Sequence, residues 1–143
     1  VLSGGFVPGQ SIAKLVPGFL SLSYVKNTGA AWGIFQDSTL ALSIFSLVVI
    51  AFLILYIFVF NKKANNFLFY GSILICAGGL GNIIDRLARG FVVDFIKLDF
   101  INFPVFNVAD CCVTVGFCLA LVGLFLEFKA EAKVNKEKKG KND

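Results

Sequence analysis

The sequence contains no histidine and no methionine, only three prolines and one tryptophan, and just 15% charged residues. Each shortage excludes something. Without histidine, the commonest biological base and the commonest metal ligand are both missing, which sets aside Ser-His-Asp hydrolases and zinc enzymes. With so little charge, a soluble globular domain is set aside too. The chain of 143 residues is 57% hydrophobic, holds 17 phenylalanines and has a mean hydropathy of +0.83, the composition of an integral membrane protein. Lacking any methionine, a chain that opens VLSGGF reads as a fragment or a processed chain. No CxxC spacing occurs. Cys76, Cys111, Cys112 and Cys118 all lie in apolar stretches and read as small buried hydrophobes. ILICAGG, around Cys76, lies mid-chain and has Ile75 where a lipid-attachment site needs a small residue. No metal and no cofactor is expected.

What is present is organised as spans. Residues 40–60 form 21 uncharged residues, roughly 31 Å of helix and about one hydrocarbon thickness. NKKANN follows as a polar turn. Residues 67–84 give a second, shorter span that ends in small and polar residues, and residues 108–128 a third, apolar except for Asp110 and Glu127. Residues 1–39 are different: GFLSLSYV sets Leu20, Leu22 and Tyr24 against Ser21 and Ser23, the period of a strand. The expected fold is therefore an all-α multi-span membrane protein with three transmembrane helices and a small extracytoplasmic β element. Net charge is +4, and residues 129–143 hold six of the thirteen basic residues. That segment reads as a disordered basic tail fixing topology and not as a nucleic-acid binder. Lys62 and Lys63 add to it, so both the turn and the tail are expected in the cytoplasm, with residues 1–39 and the loop 85–107 outside.

Three acids then stand at the outer boundary. Asp85 is followed by Arg86, with Arg89 one turn on, and reads as one half of a local ion pair. Asp94, in FVVDFI, has no basic neighbour before Lys97. Asp110 opens an apolar helix, where it serves either as a first-turn acid or as a chemical group. If Asp94 and Asp110 meet, they cannot both stay ionised, and the pair holds one proton between them. That is the working state of an aspartic protease, which needs neither histidine nor metal. Asn27, Asn82 and Asn107 lie at the same level and can orient a carboxylate or a substrate carbonyl without adding charge. Gly78, Gly79 and Gly81 read as sites of close helix packing. Two other functions fit charged groups in such a chain: an ion-coupled transporter or channel subunit with the acids as ion sites, and an assembly protein whose acids merely pair with Arg86 and Arg89.

NTGAAWGIF (27–35), GGLGNIIDRLARGFVVDFI (78–96) and FPVFNVADCCVTVG (103–116) together resemble the blocks of the lipoprotein signal peptidases, or signal peptidase II, from about residue 17 to 128. The resemblance implies a bacterial membrane aspartic endopeptidase that removes signal peptides from diacylglyceryl-modified prolipoproteins, cutting before the lipidated cysteine. By position it implies a catalytic pair of Asp94 and Asp110, with Asn27, Gly29, Asn82, Asp85, Arg86 and Asn107 in support and substrate positioning. It implies a monomer among membrane lipids, multi-pass in the cell (inner) membrane, with its site at the extracytoplasmic face. Family members also carry a further N-terminal span with a D-Q pair. Only VLSGGFVPGQ precedes the matching segment here, so the expectation is three spans in place of the family's four.

Overall fold

The computed structural model describes residues 11–29, 38–60 and 65–139. Two strands come first, β1 (Ala13–Val16) and β2 (Leu20–Asn27), then helices α1 (Thr39–Phe60) and α2 (Asn66–Arg89), strand β3 (Val92–Leu98) and helix α3 (Val108–Lys139). The three helices are each long and apolar enough to cross a membrane. The expected spans thus all appear, alongside a three-stranded antiparallel sheet of order β1-β2-β3.

Helix α1 is apolar all round, and Phe45, Phe52 and Phe58 lie two-thirds or more exposed; such a surface calls for an apolar surrounding, lipid or another apolar helix. Its inner side meets α2, where Ile50, Cys76 and Ile83 form a buried cluster with Leu53 against it. Helices α2 and α3 approach far more closely. A Cβ added at Gly71 would lie 2.6 Å from the Ala120 nitrogen, one at Gly116 2.7 Å from the Gly71 oxygen, and one at Gly123 2.5 Å from the Leu68 nitrogen. Small residues on both helices let the backbones touch, which in lipid replaces the missing hydrophobic drive for association.

The ends of α2 explain its direction and reach. Asn65 is its N-cap: Oδ1 accepts from the Leu68 N–H at 3.0 Å, while Nδ2 donates to the Gly123 carbonyl at 2.7 Å. Glu127 Oε1 accepts from the Asn65 backbone N–H at 3.1 Å and from its Nδ2 at 3.2 Å, so one capping residue pins the start of α2 to α3 at Glu127. At the other end Gly90, at φ 78°, returns its N–H to the Arg86 carbonyl; the left-handed conformation suits glycine and stops the helix.

Three expectations need correction. The loop assigned to 85–107 begins later, because α2 carries Asp85, Arg86 and Arg89 in its last turns, and it contains β3. Residues 129–139 of the expected tail are helical: α3 continues to Lys139, since alanine, glutamate and lysine are strong helix formers and the segment holds no glycine or proline. Of the cysteines, Cys76 alone is buried; Cys111 and Cys112 are partly exposed and Cys118 is exposed. Lys62, Lys63, Ala30–Phe35 of the first motif and residues 140–143 lie outside the described residues.

In the sheet, the alternation of β2 is present and its serines are the buried set: Ser21 and Ser23 are fully or nearly fully covered, while Leu20 and Leu22 are half-buried. Ser21 Oγ donates to Asp99 Oδ2, which satisfies one hydroxyl there. β2 pairs along all of β3, with an irregularity between Leu22 and Val25. Beyond β3 the chain folds back, and Ile96 and Phe106 form an antiparallel bridge, with N–H to carbonyl distances of 2.7 and 3.1 Å in the two directions. That bridge decides where Asn107 and the start of α3 lie.

Candidate active site

Asp94 sits mid-way along β3 opposite Val25 and is 2% exposed. Both its oxygens are occupied. Asn27 Nδ2, from the end of β2, donates to Oδ2 at 2.8 Å, and Asn107 Nδ2 donates to Oδ1 at 2.8 Å. Asn107 reaches Asp94 because the Phe106 bridge lays its segment alongside β3. Asn107 is also the N-cap of α3: Oδ1 accepts from the Asp110 N–H at 3.0 Å, and its own N–H donates to Asp110 Oδ2 at 3.1 Å, the reciprocal pairing of a capping box. Asn82, from α2, closes the circuit. Its Nδ2 donates to Asp110 Oδ1 at 2.8 Å, and its Oδ1 accepts from Asn107 Nδ2 at 3.1 Å. Two carboxylates, from a strand and a helix, are thus joined through the same asparagine.

The remaining residues frame this circuit. Gly29 donates its N–H to Asn27 Oδ1 at 2.9 Å, fixing the amide so that its nitrogen faces Asp94. Arg86 Nη2 donates to the Gly29 carbonyl at 3.0 Å, so α2 holds the end of β2. Asp85 does not pair with Arg86. It lies 3.5 Å from Arg89 Nη1 and accepts from the Val93 N–H at 3.2 Å, because residues four apart share a helix face and adjacent ones do not. Its part is to fasten β3, one residue from Asp94, to the end of α2. The ion pair itself is half-exposed and contributes little.

Burial pushes the Asp94 carboxyl above its ordinary value of 3.8, and the charge of Asp110 pushes the same way; Asn27, Asn107 and the Arg86 guanidinium oppose the shift. A desolvated acid next to a second acid favours its neutral form. Among the described residues no group of histidine, cysteine, aspartate or glutamate could hold a metal ion.

All eight residues singled out from the sequence lie at this end of the helix pair; seven belong to the Asp94–Asp110 circuit and its frame, and Asp85 acts through Val93. Sequence reasoning missed Phe106 and Ala109. The first carries the bridge, and the carbonyl of the second lies so close to Gly78 that a Cβ there would collide with it. No alternation in 92–98 announced the bridge, because apolar residues occupy both faces of the segment.

A helix bundle fit to cross a membrane, with two acids coupled through asparagines at one end and no metal ligands grouped among the described residues, has the make-up of a membrane aspartic peptidase. Comparison with known proteins narrows this: the family described as Signal peptidase (SPase) II matches residues 5–126. The lipoprotein signal peptidase of Streptococcus pneumoniae is 43% identical over 121 residues, covering 85% of this chain and 78% of that protein. That of Enterococcus faecalis is 38% identical over 129 residues, covering 90% and 76%. A solved bacterial membrane enzyme, determined by the in meso method at 2.3 Å resolution, aligns with a TM-score of 0.75 at 35% identity, over 85% of this chain and 74% of that one. The chain belongs to the signal peptidase II family, and the transporter alternative falls.

Proposed function

We propose that Asp94 and Asp110 are the catalytic pair with which this signal peptidase cleaves lipoprotein precursors. Asp94 holds the shared proton, because it is the more deeply buried acid. Asp110, which accepts from Asn82 Nδ2 and from the Asn107 N–H at the start of α3, is the partner that takes a proton from water. A water between them gives a proton to Asp110 as its oxygen bonds to the scissile carbonyl carbon, and Asp94 passes its proton to the carbonyl oxygen. The tetrahedral intermediate then collapses: the C–N bond breaks, the leaving amine takes the proton from Asp110, and one hydroxyl of the intermediate returns its proton to Asp94, which releases a carboxylic acid and restores the starting pair.

The substrate is the precursor with its diacylglyceryl group attached, cut before the lipidated cysteine. Its acyl chains stay in the bilayer beside the phenylalanine-rich helices, and the peptide crosses the end of α2. Asn27, Asn82 and Asn107 hold the acids and the peptide backbone, with Gly29 and Arg86 setting Asn27. The enzyme works as a monomer in the bacterial inner membrane with its site at the extracytoplasmic face, a reading supported by the lysines at the opposite helix ends. The observation that carries the proposal is the Asp94–Asn107–Asp110 linkage.

The test is cleavage of a diacylglyceryl prolipoprotein by Asp94→Asn and Asp110→Asn. Each should lose at least about 1,000-fold in kcat/KM, the order expected when an acid–base partner is removed, while still inserting into the membrane. Normal processing by either variant would remove the pair from the mechanism.

A further inference from the structure

Helix α3 is longer than a membrane crossing requires. Its 32 residues extend roughly 48 Å, against about 30 Å of hydrocarbon and 40–45 Å including the headgroup layers. The surplus lies beyond Glu127, whose bonds to Asn65 mark the level where α2 begins. Lys129, Lys133 and Lys136 follow at distances of roughly 3, 9 and 13 Å along the axis, the depth of a headgroup layer.

Their direction can be read from the packing. The side of α3 that meets α2 is fixed by Gly116 against Gly71, Gly123 against Leu68 and Glu127 against Asn65. At about 100° per residue, Lys129, Lys133 and Lys136 fall within an arc of about 60° centred roughly 130° from that side, and Glu131 falls on the opposite side from them. All three lysines are exposed. The arc therefore continues the lipid-facing side of the span as a row of three cations, with position 137, a glutamate, about 40° beyond Lys133 at its edge.

We infer that Lys129, Lys133 and Lys136 form a binding surface for the anionic headgroups of phospholipids in the leaflet at the Asn65–Glu127 end of the bundle. The charges match, the lysine stems cover apolar surface while their ammonium groups reach the phosphates, and the rigid helix presents them without an ordering cost. The surface is at the far end of the bundle from Asp94 and Asp110, so the inference stands or falls independently of the proposed chemistry.

The test uses the full chain in phosphatidylcholine vesicles containing spin-labelled phosphatidylglycerol or spin-labelled phosphatidylcholine, with the motionally restricted fraction read by electron spin resonance. A lysine near an anionic surface gives about a fivefold preference, so phosphatidylglycerol should be enriched about fivefold over phosphatidylcholine at the sites these residues touch. The enrichment should disappear in Lys129→Gln/Lys133→Gln/Lys136→Gln and return in the triple arginine variant. In the unaltered protein it should fall steeply at 1 M salt, where screening is nearly complete; this measurement needs no variant to fold. An enrichment that persists in the glutamine variant or at high salt overturns the inference. So does an absence of enrichment combined with salt-sensitive capture of soluble polyglutamate, which would assign the row to an acidic protein partner.

Discussion

Asn107 touches more of the site than any other side chain: it donates to Asp94 and Asn82, accepts from the Asp110 N–H, and its backbone donates to Asp110. Asn107→Ala should therefore misplace both acids at once and lower kcat/KM about 100-fold, the effect of an ångström-scale displacement, while Asn107→Asp should fail to rescue because a third carboxylate would enter the circuit. Cleavage kinetics on a lipidated precursor check both. Asp94 leaves a second signature, in stability. Its folded-state carboxyl titrates above the ordinary 3.8, so folding binds that proton more tightly than the unfolded chain does. The resulting stabilisation is complete below pH 3.8, and is lost as pH rises from there through the raised folded value. Thermal unfolding in detergent should show the advantage of the native protein over Asp94→Asn shrinking across that window; parallel Tm profiles would mean that burial does not hold the proton.

The elements carry their own consequences. Because the α2–α3 contact is backbone against backbone, Gly71→Ala and Gly116→Ala should each cost about 1–3 kcal/mol by overpacking, measurable as a loss of Tm. Gly78→Ala would press on the first turn of α3 beside Asp110, so activity should fall by more than that loss of stability explains. The spans were legible in the sequence because apolar length alone identifies them: residues 40–60 against Thr39–Phe60 is agreement to one residue. The strand character of β2 was legible from its alternation. The site residues were legible by type and by resemblance, and the structure brings them to one end of the bundle. Less could be read where one pattern served two purposes. FVVDFIKL looked like apolar context for an acid and is a strand, and the Asp85-Arg86-Arg89 cluster looked like one ion network, whereas helical angles send Arg86 inward to Gly29 and leave Asp85 with Arg89. The tail appeared too polar to order, but its residues are helix formers that extend an existing helix and so need no new nucleus.

For the molecule as a whole, the proposed function requires that the sheet end and the lysine end face opposite compartments. A membrane-impermeant amine reagent applied to intact cells from outside should label Lys14, Lys26 or Lys97 and spare residues 129–143; labelling of the tail would invert the topology and put the proposed site on the wrong side. The order of residues along the chain adds a constraint in time. Six of the eight site residues fall between Asn82 and Asp110, and Asn27 and Gly29 precede them. Asn107, which joins the acids, and Asp110 are the last of them to leave the ribosome. On the proposed mechanism, a newborn chain with Asn27 and Asp94 already made stays chemically silent until α3 is being made.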